Sequence, residues 1–537
     1  MSSDENLQKG LFWTPRGGNN AKDIWASCHT FSSVTENKQT GQLKKTTLIV
    51  DLGQHEFPKD FLNGNFDKVV PALDDCLSFS GEKSPENEAQ AIFLTHGHSD
   101  HIAGIYEYIK MGVHLPKVYG SEYTLNALEK GFLDNGIKKE QWPEMQEIKA
   151  GDVIQIGDMS VETFSASHSI PGCFSFKISN AEGSIFHSGD TKADETSFLG
   201  QGVKLSAYKR IGRNGGVDLM TFDATATHMA GHATYESEVF NAYQQIFKEN
   251  DGKQVIAALP AAHMERLASV VVAAQAAGRD VIIHGGASME SNLLALNISG
   301  YDLRKKCPDI RIVSGTSQEA QKLDPKKCVT ITTGIYRESQ SPFIKHLLGE
   351  NAGFIMQKDA VIIAPASNDK NEKLHFLLQS KEFEDLKVIT GSSKYKIYGS
   401  GHAQADDFKR IARYIVPRTV APIHCSYEKA EAFNELAGKN GYQTLPVYAH
   451  NGVTVGIDRK NGCRVVGRKE PQWFGVNHQE TGISVIKVDD NGYSTAFHNR
   501  DLVEARQQMA KQLIADYRNK KNLATQVSLI NRRKNER

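Results

Sequence analysis

The chain has 537 residues, and its 63 lysines and arginines are balanced by 63 aspartates and glutamates. A formal net charge of zero excludes a protein that coats nucleic acid through bulk charge, although it does not exclude local basic patches. No apolar run approaches the roughly 20 residues that a membrane helix needs, and the polar start lacks a signal-peptide core. The length predicts two or three domains.

The first informative elements are two apolar runs, each followed by polar side chains. Residues 48–53 predict a strand that ends in a carboxylate, Asp51, and residues 91–94 predict a second, buried strand. The polar run that follows holds three histidines and one aspartate within six positions: His96, His98, Asp100 and His101. Residues 102–110 carry apolar side chains at helical spacing, so the polar run is predicted to lie between a strand and a helix.

The composition of this polar run indicates a metal site. Neutral imidazoles and carboxylates are good ligands for zinc or manganese. One compact ion site can hardly use all four groups, and the spacing therefore predicts two metals that share one loop. The alternative is a polar loop that merely happens to be rich in histidine, but clustering this dense rarely serves structure alone.

Three further candidates follow predicted strands or turns downstream. His168 lies in a turn, Asp190 ends a strand after glycine, and His424 ends a strand near the far end of the chain. Each histidine alone would more often be an ordinary hydrogen-bonded residue, but their order and neighbours favour a ligand role. His187 adjoins Asp190 without matching a ligand position, and we interpret it as structural.

The region between Asp190 and His424 reads as alternating strands and helices. A strand at 254–258, a helix at 263–277 and a strand at 280–283 are joined by short links, which favours a parallel α/β arrangement. Similar apolar runs recur at 328–331, 359–363 and 386–389. A whole α/β domain is therefore predicted to be inserted between metal ligands.

These motifs resemble the metallo-β-lactamase superfamily, and the inserted domain resembles its β-CASP group of nucleases. Within that group the chain resembles ribonuclease J, as a divergent member. Residues 218–227 are similar to the family segment that ends SDSTN, residues 286–289 to its GRSM turn, and residues 398–403 to its SGHA motif. The resemblance covers roughly residues 14–455.

The resemblance implies an α/β architecture with four segments. A metallo-β-lactamase αββα sandwich would take residues 1–217 and a return segment at 396–457, around an inserted β-CASP α/β domain at 218–395. Residues 458–537 would form a C-terminal extension of unknown role. Within it, Asp501 is predicted to cap a helix that runs to about Lys521, followed by a basic end.

The resemblance also implies a ligand set for two divalent metal ions. The first ion would be held by His96, His98, His168 and Asp190. The second would be held by Asp100, His101, Asp190 and His424. Asp51 would lie behind the ligands and orient the histidines. Zinc is the expected metal, with manganese and magnesium as alternatives.

Further catalytic and substrate-binding residues follow from the same resemblance. Asp100, Asp190, Asp223 and His402 would be catalytic, and Ser400, His402 and Ser288 would contact substrate. His402 would protonate the leaving oxygen or bind the scissile phosphate, and Asp223 would orient His402 or a water. The alternatives are a turn or helix-cap aspartate for Asp223 and a hydrogen-bonded turn histidine for His402.

The chain departs from the family pattern at several positions. Cys425 and Ser426 replace the Gly-Glu that usually follows the last ligand histidine, and Ala287 replaces the arginine of GRSM. Residues 334–338 and 366–372 also differ from the family's Gly-Ser-Gln-Gly-Glu and Ile-Pro-Gly-Asn-Glu stretches. These changes spare the metal ligands but fall where RNA and subunits would be contacted.

The predicted function is that of a metal-dependent ribonuclease acting on single-stranded RNA. Exonuclease action from the 5′ end and endonuclease action both occur in the family, and both remain alternatives. A hydrolase of small esters or thioesters and a non-catalytic RNA-binding scaffold are the other hypotheses. A homodimer or homotetramer without membrane contact is expected. Seven scattered cysteines without a CxxC pair indicate a reduced, cytoplasmic setting.

Overall fold

The computed structural model describes most of the chain between Lys9 and Val488. The described residues are 9–20, 24, 26–36, 40–56, 68–78, 88–200, 202–334, 341–350, 353–364, 386–391, 394–445, 450–459, 462–479 and 482–488. Residues 335–338 and 366–372, and the predicted C-terminal helix with its basic end, lie outside these ranges.

The first of two large sheets has eight strands. In chain order they are β1 (Gly10–Gly17), β2 (Cys28–Glu36), β3 (Leu43–Leu52), β6 (Ala89–Phe93), β7 (Lys117–Gly120), β8 (Met145–Glu147), β22 (Val453–Asp458) and β23 (Gly462–Arg468). Their spatial order is β23-β22-β1-β2-β3-β6-β7-β8. Strands β3, β6, β7 and β8 run parallel to one another, and the others pair antiparallel.

The second large sheet has seven strands. They are β9 (Val153–Ile156), β10 (Met159–Ser165), β11 (Phe174–Ser179), β12 (Ser184–His187), β13 (Val217–Asp223), β20 (Pro417–Ile423) and β21 (Gln443–Thr444), in the order β21-β20-β13-β12-β11-β10-β9. Strand β13 pairs in parallel with β12 and β20. Because this strand belongs to the sandwich, we propose that the insertion begins after Asp223, and not at residue 218.

Helices cover the outer faces of both sheets, which gives the αββα layers. Those on the first sheet are α1 (Ser99–Ile102), α2 (Gly104–Lys110) and α3 (Glu122–Asp134); those on the second are α4 (Leu205–Arg213), α10 (Ala405–Ile415) and α11 (Tyr427–Lys439). The apolar core between the sheets includes Trp13, Phe176 and Leu219, all fully buried. The fold class inferred from the sequence is confirmed.

The inserted domain is a six-stranded parallel sheet with helices on both faces. Its strands are β14 (Val255–Ala258), β15 (Asp280–His284), β16 (Ile312–Ser314), β17 (Cys328–Thr332), β18 (Val361–Ala364) and β19 (Lys387–Thr390), in the order β16-β15-β17-β14-β18-β19. Its helices are α5 (Glu236–Glu249), α6 (Met264–Ala276), α7 (Gly286–Ile298), α8 (Leu303–Lys306) and α9 (Pro342–Leu347). The predicted parallel α/β arrangement is confirmed strand by strand.

Two features of the fold differ from the sequence reading. The helix predicted at 102–110 is two helices, α1 and α2, and α1 begins early enough to carry Asp100 and His101. The two helices are separated at Ala103, and Gly104, the first residue of α2, lies so close to β3 that an added Cβ would be 2.8 Å from the carbonyl oxygen of Leu52. The part of the C-terminal extension that is described forms β23, β24 (Trp473–Gln479) and β25 (Gly482–Val488). The last two join β4 (His55–Glu56) and β5 (Lys68–Pro71) in a small sheet.

The cysteines form no disulfide bonds in the structure. All seven cysteines are free, and all except Cys463 are buried. Burial raises the pKa of the Cys425 thiol well above its ordinary value, which is typical of an inert thiol. Among the described residues, no helix is long and apolar enough to cross a membrane.

Candidate active site

The predicted ligands lie just beyond the ends of strands in the two sheets of the sandwich. His96 follows β6, Asp190 follows β12 and His424 follows β20. Strands β3 and β6 are parallel in one sheet, and β12, β13 and β20 are parallel in the other. Because parallel strands end at the same edge of a sheet, the loops after them meet at one edge of the sandwich.

Five overlapping groups of candidate donor atoms meet at this edge. In each group the atoms lie within 4.8 Å of one another, and the groups are His96/His98/His168, His96/His101/Asp190, Asp100/His101/His424, His168/Asp190/His402 and Asp223/His402/His424. The structure therefore brings all seven predicted ligands together. It also adds His402 and Asp223 to the same cluster.

Asp190 lies at the centre of this cluster. Its Oδ2 is 3.9 Å from His96 Nε2, 3.4 Å from His101 Nε2 and 3.7 Å from His168 Nε2. Its Oδ1 is 3.7 Å from His424 Nδ1. A carboxylate between both groups of histidines is the geometry that a bridging ligand needs, so the predicted bridging role of Asp190 fits these distances.

The remaining donor atoms form two ends of the cluster. At one end, His96 Nε2 and His98 Nδ1 are 3.0 Å apart. At the other end, Asp100 Oδ2 lies 3.3 Å from His424 Nε2 and 3.8 Å from His101 Nε2. These ends match the two predicted ligand sets.

Each of the five histidines has a hydrogen-bond partner on its other ring nitrogen. The pairs are His96 Nδ1 with Thr95 Oγ1 (3.0 Å), His98 Nε2 with Ser169 Oγ (3.0 Å), His101 Nδ1 with Asp51 Oδ2 (2.7 Å), His168 Nδ1 with Gly401 O (2.9 Å) and His424 Nδ1 with Thr225 Oγ1 (2.9 Å). Since these partners accept the ring proton, the nitrogen that faces the cluster keeps its lone pair.

Asp51 does more than orient one histidine. It also accepts hydrogen bonds from Thr95 N and Thr95 Oγ1, both at 2.7 Å. The backbones of Asp51 and His424 adopt φ values of 59° and 55°, a left-handed conformation that is uncommon outside glycine. The chain therefore adopts an unfavourable backbone geometry at the ends of β3 and β20, beside the cluster. Such strained residues are often found at functional sites. The predicted orienting role of Asp51 fits these contacts.

The electrostatics of the cluster suit metal ligands. Burial, together with the rings of His101 and His98, holds the pKa of His96 well below its ordinary value. Burial and His402 do the same to the pKa of His168. Although burial opposes ionisation, nearby histidines hold the pKa of both Asp100 and Asp190 well below the usual range. Neutral imidazoles and ionised carboxylates are the forms that bind cations. His101 differs, because Asp190 and Asp51 raise its pKa well above the ordinary value although burial opposes this.

Two buried atoms of the cluster provide an independent test of the fit to a metal. His101 Nε2 and Asp190 Oδ1 have no hydrogen-bond partner within the described part of the chain. Unsatisfied polar atoms are costly inside a protein unless a water or an ion meets them. Five imidazoles and two carboxylates are also the donor set that zinc and manganese favour. The residues present therefore fit divalent metal binding.

His402 and Asp223 form a hydrogen-bonded pair beside the cluster. His402 Nδ1 donates to Asp223 Oδ2 at 2.8 Å, which leaves Nε2 as the ring atom available to a substrate. Asp223 is itself fixed by Thr191 N at 3.2 Å and Thr225 N at 3.0 Å. Although burial opposes it, Asp223 and Asp190 raise the pKa of His402 to about 9. The pair joins residues 179 positions apart in the sequence, and Asp223 also makes a local turn contact with Thr225 N.

Ser400, Ser288 and His187 differ in how the structure places them relative to the cluster. Ser400 lies in the His402 loop, where its Oγ accepts from His402 N at 3.2 Å. Ser288 is exposed in the first turn of α7, and no hydrogen bond between described residues joins it to the cluster. His187 is buried against Thr221, with 2.9 Å between Nδ1 and Oγ1, in agreement with a structural role.

The sequence reading missed the partners that orient the histidines. Thr95, Ser169 and Thr225 each adjoin or nearly adjoin a predicted functional residue, but a single hydroxyl residue carries no recognisable pattern. The Gly401 carbonyl could not be found from the sequence, because it contacts His168 across 233 positions. Gly401 must also lack a side chain, since an added Cβ would lie 2.6 Å from His168 Cε1.

Comparison with known proteins agrees with this architecture. Residues 77–250 match the family model described as a beta-lactamase superfamily domain, and residues 395–448 match a Zn-dependent metallo-hydrolase RNA specificity domain. The crystal structure of a protein of unknown function from Enterococcus faecalis V583 is similar to this chain, with a TM-score of 0.56 and 16% identity. The superposition covers 84% of this chain and 100% of that protein. At that identity the likeness concerns the fold alone.

The similar curated proteins are called ribonuclease J. The protein from Mycolicibacterium smegmatis is 28% identical over 69% of this chain and 64% of its own length. The protein from Corynebacterium glutamicum is 28% identical over 81% of this chain and 58% of its own length. The protein from Thermus thermophilus is 26% identical over 75% of this chain and 72% of its own length. The chain thus spans just under two thirds of the M. smegmatis relative.

The sandwich, the inserted domain and the histidine–aspartate cluster have the β-CASP architecture of a metallo-β-lactamase fold. The chain is similar to the ribonuclease J proteins and divergent from them.

Proposed function

We propose that the chain is a metal-dependent ribonuclease that hydrolyses the phosphodiester bonds of RNA. The observation that carries this proposal is the meeting of two units at one edge of the sandwich. One unit is the cluster of seven metal-binding side chains, and the other is the His402–Asp223 pair. The matched RNA-specificity model and the relatives named ribonuclease J support RNA as the substrate.

We infer that two divalent ions bind, with zinc the expected metal and manganese and magnesium as alternatives. His96, His98 and His168 would hold one ion, Asp100, His101 and His424 would hold the other, and Asp190 would bind both. When bound, such ions lower the pKa of an attacking water and offset negative charge on phosphate oxygens.

The chain's own residues would supply orientation and a proton. Asp51, Thr95, Ser169, Thr225 and the Gly401 carbonyl fix the direction of the ligand rings. His402 would donate a proton from Nε2 to the leaving oxygen, because Asp223 holds its Nδ1. Ser400 would keep the loop turned so that the His402 ring faces the substrate.

The substrate is inferred to be single-stranded, because an unpaired chain can enter between two domains. Residues from both domains meet beside the cluster, since Glu265 N on helix α6 of the inserted domain donates at 3.0 Å to Ser169 O, next to His168 in the sandwich. A small ester or thioester would need neither the inserted domain nor His402. Homodimer or homotetramer formation and a cytoplasmic location stay predictions.

The direct test is incubation of the protein with 5′-monophosphorylated, 5′-triphosphorylated and circular RNA in the presence of zinc or manganese. Mononucleotides released from the monophosphorylated end would indicate exonuclease action, and cut circles would indicate endonuclease action. If all three RNAs remained uncut with zinc and also with manganese, the proposal would be overturned. Ester hydrolysis alone would then favour the small-substrate alternative, and RNA binding alone would favour the scaffold.

A further inference from the structure

Arg266 is a buried cation on helix α6 of the inserted domain, with 2% of its surface exposed. Its Nε and Nη2 lie 3.1 Å from the two carboxylate oxygens of Glu236, a bidentate pair. Its guanidinium also reaches the backbone, because Nη1 donates to Ile397 O at 3.1 Å and Nη2 donates to Gly399 O at 3.3 Å. One side chain therefore joins two helices of the inserted domain to the segment at 397–399.

The segment that Arg266 holds leads directly into the active-site loop. Gly401 and His402 follow Gly399 by two and three positions. The Gly401 carbonyl orients His168, and the His402 ring pairs with Asp223. A shift of the backbone at 397–399 would therefore move both a metal-ligand partner and the proposed proton donor.

Glu236 connects the same network to the loop after Asp190. Lys192 Nζ donates to Glu236 Oε1 at 3.2 Å and to the backbone oxygen of Thr234 at 3.3 Å, and it lies 3.4 Å from Asp194 Oδ2. Lys192, Asp194, Glu236 and Arg266 are all at least 98% buried. Two cations face two carboxylates, so the buried charges are balanced. Removal of any one of the four would leave a buried charge without its partner, which is costly.

The fit around Gly399 shows how closely Arg266 approaches the loop. A Cβ added at Gly399 would lie 3.0 Å from Arg266 Nη2 and 2.8 Å from Thr234 Cβ. Arginine's planar fork can bind a carboxylate and two carbonyls at once, whereas lysine offers one point charge. Arg266→Lys therefore keeps the charge and loses the hold on the carbonyls.

The chain contains a matched control for this role. Arg279 is 4% exposed and lies in the same domain. Its guanidinium also donates to backbone carbonyls, among them Asn250 O at 2.7 Å and Lys253 O at 2.8 Å. These carbonyls belong to the segment between α5 and β14, and Arg279 has no hydrogen bond to residues 397–402 in the described part of the chain. It represents a buried arginine that stabilises the fold without holding the catalytic loop.

We propose that Arg266 is a positioning residue that places His402 for proton transfer by fixing the backbone at 397–399. The inference rests on the proposed ribonuclease function, because it assigns His402 the leaving-group proton. It makes the inserted domain a direct support of the catalytic loop, in addition to any contact that it makes with RNA.

The test compares Arg266→Lys with Arg279→Lys on two substrates, with saturating metal. RNA has an alkoxide leaving group that needs a proton, whereas bis(4-nitrophenyl) phosphate releases a phenolate that does not. We expect Arg266→Lys to lower kcat on RNA by about 10- to 100-fold, as loss of an orienting partner does, with KM nearly unchanged. Saturating metal should offset a looser His168, so hydrolysis of the nitrophenyl ester should stay near wild type. Arg279→Lys should leave both substrates near wild type.

A double variant separates positioning from stability. In a His402→Ala background, Arg266→Lys should add no further loss on RNA, because both changes remove the same proton donor. Equal slowing of both substrates by Arg266→Lys, or an equal loss on RNA from Arg279→Lys, would overturn the inference. Hydrolysis of neither substrate by the wild type would instead overturn the proposed function.

A milder variant covers the case in which Arg266→Lys does not fold. Ser269 Oγ donates to Glu236 Oε2 at 2.8 Å, so Ser269→Ala weakens the network without removing a charge. It should slow RNA cleavage more than hydrolysis of the nitrophenyl ester, by a smaller factor than Arg266→Lys. If Ser269→Ala slowed RNA cleavage and hydrolysis of the nitrophenyl ester by the same factor, the positioning role would be contradicted.

Discussion

The metal cluster and the His402 loop are built in different ways, although they lie side by side. Four of the seven predicted ligands, His96, His98, Asp100 and His101, come from one short run, and that run is anchored by Asp51 in the adjacent strand. The His402 loop is instead tied to segments distant in sequence: Arg266 donates to Gly399 O, and Asp407, five positions after His402, binds backbone N–H groups near residues 193 and 233. Asp407, which is fully buried, accepts from Ala193 N at 3.1 Å and from Ala233 N at 2.7 Å.

This difference has a consequence for how each unit responds to change. A cluster fixed by the strand ends of the sandwich should survive changes in the inserted domain. A loop held across domains should be sensitive to them. The metal unit and the proton-donating unit are therefore expected to fail separately, and variants that disturb one without the other test the comparison.

The largest effect is expected for Asp190→Asn, because Asp190 faces both groups of histidines. Loss of the shared carboxylate should reduce the content of both ions and lower RNA cleavage by on the order of 10³-fold, the scale of several kcal/mol of charge stabilisation. Elemental analysis and cleavage rates would measure both effects. Asp134→Asn, at an exposed position on α3, is the control. Full ion content in Asp190→Asn would refute the bridging role.

The next largest effect is expected for His402→Ala, which removes the donor and leaves the cluster. RNA cleavage should fall by roughly 10²-fold, the usual scale for a positioned acid, while ion content and melting temperature stay near wild type. His114→Ala, at an exposed histidine, serves as the control. If His402→Ala lost its ions together with its activity, the two units would not be separable.

A smaller effect is expected for Thr225→Val, which removes the hydroxyl that orients His424. Thr225 Oγ1 also donates to the His424 carbonyl at 2.8 Å, so it fixes both ring and backbone. Affinity for one ion should fall by about 10- to 100-fold, while the other ion stays bound. Isothermal titration of the metal-free protein would resolve the two sites. Thr225→Ser should restore the affinity, and failure of that rescue would point to a packing effect of the methyl group.

The smallest effect on activity is expected at Glu265, which joins the two domains behind the site. Glu265 accepts from Ser197 Oγ at 2.5 Å and Phe198 N at 2.9 Å, and burial raises its pKa from 4.5 to about 7. Because the folded pKa lies above the unfolded value, the stabilisation is complete below pH 4.5 and is lost as the pH rises to about 7. The ionised wild type should then be less stable than the neutral form by at most about 3 kcal/mol.

Glu265→Gln should remove this pH dependence with little change in RNA cleavage at saturating metal. The difference in melting temperature between wild type and Glu265→Gln, measured at pH 5.0 and pH 7.5, should shift in favour of the variant at the higher pH. Glu129→Gln, at an exposed position on α3, should show no such shift. A difference that does not change with pH would show that Glu265 does not titrate in this range.

The sequence was sufficient to single out the candidate ligands that the structure brings together and several strands of the inserted domain. Apolar runs such as 254–258 and 280–283 predicted strands because parallel strands buried on both faces read as continuous apolar segments. His96, His98, Asp100 and His101 were predicted because metal chemistry concentrates rare donors in one loop. These patterns involve residues that are neighbours in the sequence, so they can be recognised without knowledge of the fold.

The sequence was not sufficient for contacts that join distant segments. The break between α1 and α2 depends on the approach of Gly104 to Leu52, and the orientation of His168 depends on the carbonyl of Gly401. The location of β13 in the sandwich depends on pairing with β20, almost 200 residues later. Ser288, which was inferred from resemblance alone, has no hydrogen bond to the site among the described residues.

The most direct test of the central claim is the number of ions that an active chain holds. Metal-free protein would be titrated with zinc or manganese while bound ions and RNA cleavage are followed together. We predict that cleavage reaches its maximum only when about two ions are bound per chain, as expected for a two-metal phosphodiesterase. Full activity with one ion per chain, or with none, would contradict the account.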